Sequence, residues 1–90
     1  MSTITSFDGM SFKMYFKPKE HEPPHMVIFY GEKSCEINIK TLDIRDGILP
    51  KAKMDRANEW IEKHRDELLE MWSSQIFHKI KPLNAKKKGV

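Results

Sequence analysis

Histidine changes charge near neutral pH, so its positions are where acid–base or metal chemistry would sit in a chain with no other obvious reactive group. His21 and His25 flank Glu22-Pro23-Pro24, and His64 lies far along the chain. Two imidazoles four residues apart would share a metal on a helix, but Pro23 and Pro24 impose extended geometry. At about 3.1 Å per residue in polyproline II form they would stand roughly 12 Å apart, too far for one zinc ion at about 2.0 to 2.1 Å from each nitrogen. No metal and no other cofactor is therefore expected. His64 falls on an apolar stripe, where desolvation favours the neutral ring. One reading makes it a core histidine bonded to a carbonyl or a water. A sharper one brings it to His25, with Tyr15 or Tyr30 near and Arg65 as the cation, to form an acid–base site of the kind used by metal-free ribonucleases. Under that reading His25, His64 and Arg65 are catalytic. Cys35, the single cysteine, has no His or Cys near it in sequence, and the chain has no glycine-rich phosphate loop and no nucleophilic serine motif.

These side chains need elements to position them. Residues 4–7 read as a short strand closed by Asp8-Gly9, a dipeptide suited to a tight hairpin turn. Met10, Phe12, Met14 and Phe16 alternate with polar positions, the period-two pattern of a strand with one dry face. Residues 17–25 hold three prolines and must be an exposed connection. Residues 26–30 are apolar throughout, as in a central strand covered on both faces, and Gly31-Glu32 supplies a turn. Cys35, Ile37 and Ile39 then alternate with Ser34, Glu36, Asn38 and Lys40, making Cys35 a core thiol. Leu42 and Ile44 extend this strand or form a short one of their own. Pro50 opens a helix at its first position. Ala57, Trp60, Ile61, His64, Leu68, Met71 and Trp72 recur at spacings of three and four, which predicts one long amphipathic helix from about residue 50 to about residue 72, packed on the sheet. Trp60 and Trp72 read as core.

Ninety residues, 39% of them hydrophobic and 32% charged, are enough for one compact domain and not for two. The expected fold is α+β, an antiparallel sheet of about four strands on one helix, spanning residues 1–83, with 84–90 a flexible lysine-rich tail. No apolar run is long enough for a membrane span and the N-terminus lacks the pattern of a signal peptide, so the cytoplasm is the expected location. One cysteine suits a reducing compartment. The net charge of +3 resides in the tail: Lys79, Lys81, Lys86, Lys87 and Lys88 are unopposed by acids, and residues 1–78 carry −2. Five phosphate contacts would give a log–log salt slope of about −4.5, enough for weak RNA or DNA binding, although a solvated tail explains the same run.

The series Phe7-x-Gly9, Met14-Tyr15, His21-x-Pro23-Pro24-His25, Tyr30-Gly31, Leu49-Pro50, Glu59-Trp60, His64-Arg65 and Glu67-Leu68 to Trp72 resembles bacterial domain-of-unknown-function family 4160, over about residues 4–83. The resemblance implies a small bacterial protein, often encoded beside another small uncharacterised domain in a setting similar to toxin–antitoxin pairs. Where that family continues Pro-Pro-His-x-His, this chain has Val27, so a two-histidine face on the strand is missing. The function expected is a non-enzymatic binding module for a partner protein or RNA, using His21, Pro23, Pro24 and Tyr30 together with Lys86, Lys87 and Lys88. The alternative is the histidine-dependent ribonuclease or toxin.

Overall fold

The computed structural model describes residues 2–15 and 23–83. Strands β1 (Ser2–Phe7), β2 (Met10–Met14), β3 (His25–Tyr30), β4 (Lys33–Asn38) and β5 (Ile44–Gly47) form one sheet in sequence order, followed by helices α1 (Lys51–Lys63) and α2 (Arg65–Ser74). Every neighbouring pair is antiparallel. Asp8 and Gly9 take φ of 54° and 77°, the left-handed pair that lets β1 and β2 close on two residues. There are five strands rather than about four because Asn38 turns the chain. Its Oδ1 accepts the N–H groups of Lys40 and Thr41, and Leu42 adopts φ 68°. Ile44 thereby begins a strand of its own.

One face of the sheet is dry. Ile4, Met10, Phe12, Met14, Met26, Ile28, Cys35 and Ile37 are buried on it, and Ala57, Trp60, Ile61, Leu68, Met71 and Trp72 close it from above. Trp60 anchors the contact, its ring 5.0 Å from that of Phe12, which in turn stacks on Phe7 at 4.9 Å. The indole N–H of Trp60 donates to the Lys81 carbonyl at 2.8 Å, and the Ile80 N–H donates to the Ile4 carbonyl at 2.9 Å. Residues 75–83 thus return along β1 and place Ile80 and Leu83 in the core. The other face of β3 is not covered by any described element, contrary to the expectation from its apolar sequence: Val27 is half-buried and Phe29 is 36% exposed.

The helical region differs from the single rod that periodicity predicts. Pro50 precedes α1 with extended φ and ψ of −55° and 146°, and the helix breaks at His64, with φ −116° and ψ 19°. The His64 N–H is shared between the Trp60 and Ile61 carbonyls. An unbroken helix over both segments would run about 36 Å, whereas five strands about 4.8 Å apart span roughly 20 Å. Residues on both sides of the interruption, Trp60 and Ile61 before and Leu68 and Met71 after, are buried. No helix among the described residues is long and apolar enough to cross a membrane.

Candidate functional site

His25 is the first residue of β3 and is 8% exposed. Its Nδ1 lies 2.9 Å from the Pro23 carbonyl oxygen, which can only accept, so Nδ1 carries the hydrogen. Nε2 then faces Glu36 Oε2 at 3.6 Å, and the other carboxylate oxygen of Glu36 meets Arg45 at 3.7 Å. The ring packs on Trp72, with centroids 5.0 Å apart. The Pro24 carbonyl accepts the Ile39 N–H at 3.0 Å, which ties the Pro-Pro-His element to the end of β4. Pro23 itself is exposed.

His64 sits in the break between the helices with its ring 5.1 Å from Trp60. Its Nδ1 is 4.0 Å from Glu67 Oε1. Burial pushes its pKa below the ordinary imidazole value; the Glu67 charge opposes that shift and Lys63 adds to it. A shallow cavity of about 310 Å³ at this point is lined by successive residues 62–67 and contains no residue of the sheet. Arg65 is committed elsewhere: its Nε donates to the Ile39 carbonyl at 3.0 Å and fixes the start of α2 to the end of β4.

The two histidines expected to cooperate are therefore held on different tryptophans and beside different carboxylates. Tyr30 is half-buried, with Lys53 over its ring at 5.3 Å. His21, Lys86, Lys87 and Lys88 lie outside the described residues, as does the tail. Among the described residues no group of three or more His, Cys, Asp or Glu is arranged to hold a metal ion.

Sequence reasoning passed over Glu36, Glu67 and His78. Glu67 stands between two imidazoles, with Oε2 3.4 Å from His78 Nε2. Nothing in the spacing signals that contact, because His78 belongs to the irregular returning segment. Glu36 was within reach of the sequence. A two-residue turn at Gly31-Glu32 pairs Tyr30 with Lys33, and counting back places Glu36 opposite Val27 and diagonal to His25.

These features define a small α+β domain of one sheet and two helices in which His25 and His64 pack against Trp72 and Trp60. The chain belongs to the family described as Domain of unknown function (DUF4160), which it matches over residues 9–73. No curated protein and no solved structure matches it.

Proposed function

We propose that the chain is a non-enzymatic binding module that contacts a partner protein, with the Pro-Pro-His element and the end of the helical layer forming one contact surface. The observation that carries this reading is the packing of His25 on Trp72, which joins those two segments of sequence. Exposed Pro23 precedes His25, and Ile76, 72% exposed, follows the last turn of α2. Both are apolar groups that a partner could cover. A base acting on a substrate must reach it, and His25 is buried with one ring nitrogen bonded to Pro23. The partner is the product of a neighbouring gene in a toxin–antitoxin-like pair, in line with the setting that the family resemblance implies.

The test sets binding against cleavage. The purified chain and its His25→Ala and His64→Ala variants are incubated with labelled RNA, and each is co-expressed with the product of the adjacent gene. The expected result is no RNA cleavage above buffer by any of the three, with His64→Ala still co-purifying with the partner. Cleavage by the wild type that both variants lose would replace the binding reading with the ribonuclease one.

A further inference from the structure

The face of the sheet that no described element covers is organised in rows that cross the strands. One row runs Thr3, Lys13, Val27, Glu36, Asp46 from β1 to β5. The next runs Ser6, Ser11, Phe29, Ser34, and ends at Ile48, whose N–H donates to the Ser34 carbonyl. Three properties of these rows bear on what could cover them. The apolar residues Val27 and Phe29 lie on β3, the central strand. The positions beside Phe29 are small serines, so its ring stands above its neighbours with Lys13 over it, at 5.5 Å. The charges are distributed unevenly, with Lys13 on the β2 side, and Glu36 and Asp46, offset by Arg45, on the other.

From this pattern we infer that a second copy of the chain covers this face, the two sheets packing face to face about a two-fold axis along β3. The inference stands apart from the binding surface proposed above, since neither Pro23 nor Ile76 lies in these rows. A rotation of 180° about a line parallel to β3 keeps each residue in its row and exchanges β2 with β4 and β1 with β5. Val27 and Phe29 are on the axis and meet their own counterparts. Lys13 of each copy comes over Glu36 of the other, giving two symmetric ion pairs, while Ser11 comes over Ser34. The patch is thus self-complementary in the sense an isologous dimer requires, with an apolar centre and opposite charges at equal distances from it. The same arrangement accounts for the sequence of β3, which is apolar on both faces although the described residues of the single chain cover only one. Aligned sheets pack about 10 Å apart, a gap that opposed Phe29 and Val27 side chains can fill.

The face is small. Five strands about 4.8 Å apart and five residues rising about 3.4 Å each give a footprint of roughly 20 by 17 Å, which places the dimer in the weak, concentration-dependent class. Sedimentation velocity on the full chain, from about 1 μM to about 500 μM, reads it. The expected result is a monomer–dimer equilibrium within that range. Lys13→Glu sets a second carboxylate over Glu36 of the other copy and weakens the dimer at least tenfold, and Phe29→Ser abolishes it. Reversing both charges with Lys13→Glu and Glu36→Lys together restores association to within about threefold of the wild type, because the pair is rebuilt across the axis. Glu36→Lys alone disturbs contacts to His25 and Arg45, so circular dichroism accompanies each variant; Lys13 and Phe29 carry the test by themselves if that variant does not fold. A chain that stays monomeric across the range overturns the inference. So does a dimer that Lys13→Glu and Phe29→Ser leave unchanged, which would lie on another face, such as the Pro23 and Ile76 side.

Discussion

At the scale of single residues, His25 and His64 are each packed against a tryptophan. His25 commits Nδ1 to the Pro23 carbonyl and one ring face to Trp72, and its Nε2 lies 3.6 Å from Glu36 Oε2. His64 is held neutral by burial against Trp60, and its titration has a definite sign. The unfolded chain takes up a proton at this residue near the ordinary imidazole pKa of about 6.5, whereas the folded one resists it. Stability owed to His64 is complete above that pH, falls as the pH drops through it, and levels off below the depressed folded value. Urea unfolding between about pH 7.5 and pH 5 is expected to show this decline, with a shallower slope in His64→Gln. Thr5 offers a second test. Its side chain is buried at 6% exposure, and Oγ1 has no hydrogen-bond partner among the described residues. Thr5→Val keeps the shape and removes the unmet hydroxyl, so it should raise stability by about 1 kcal/mol in the same titration.

At the scale of elements, turn chemistry explains where β1, β3, β4 and β5 stop. Gly47 ends β5 with φ 75°, and a Cβ there would meet the Ser34 carbonyl oxygen and the backbone of Cys35. Gly47→Ala adds left-handed strain to a clash with backbone that has no room to yield. The expected cost is about 2 kcal/mol or more, seen as a lower urea midpoint at unchanged slope. Turns at Asp8-Gly9 and Gly31-Glu32, the alternation along β2 and β4, and the buried face of the helices are all legible in sequence because they follow from periodicity and local φ preferences. The fifth strand and the helix break were not. Leu42 and Ile44 read equally well as a continuation until Asn38 is seen to cap its own turn. His64 and Arg65 are tolerated inside helices, so nothing local marks the break. What the structure adds is a tertiary bond at the break: Arg65 Nε donates to the Ile39 carbonyl and holds the start of α2 at the end of β4.

At the scale of the whole molecule, Cys35 reports on cooperativity. Burial, followed by the charges of Asp46 and Glu36, pushes its pKa up, so the reactive thiolate is scarce while the fold is intact. Alkylation should be slow in buffer and rise with urea along the global unfolding curve; rapid labelling of the native chain would show instead that the β4–β5 edge opens by itself. The sequence by itself determined the class of fold, the dry faces of β2 and β4, the buried face of the helices and the core placement of Cys35, Trp60 and Trp72, since these follow from a repeat of two or of three to four residues. It also carried the family, through motifs spread over the chain. Only the tertiary structure decided that His25 and His64 rest on separate tryptophans, that Glu67 also meets His78, and that no described element covers the second apolar face of β3. Those outcomes depend on which distant residues are brought side by side, and the relative placement of packed layers has no signature in local periodicity.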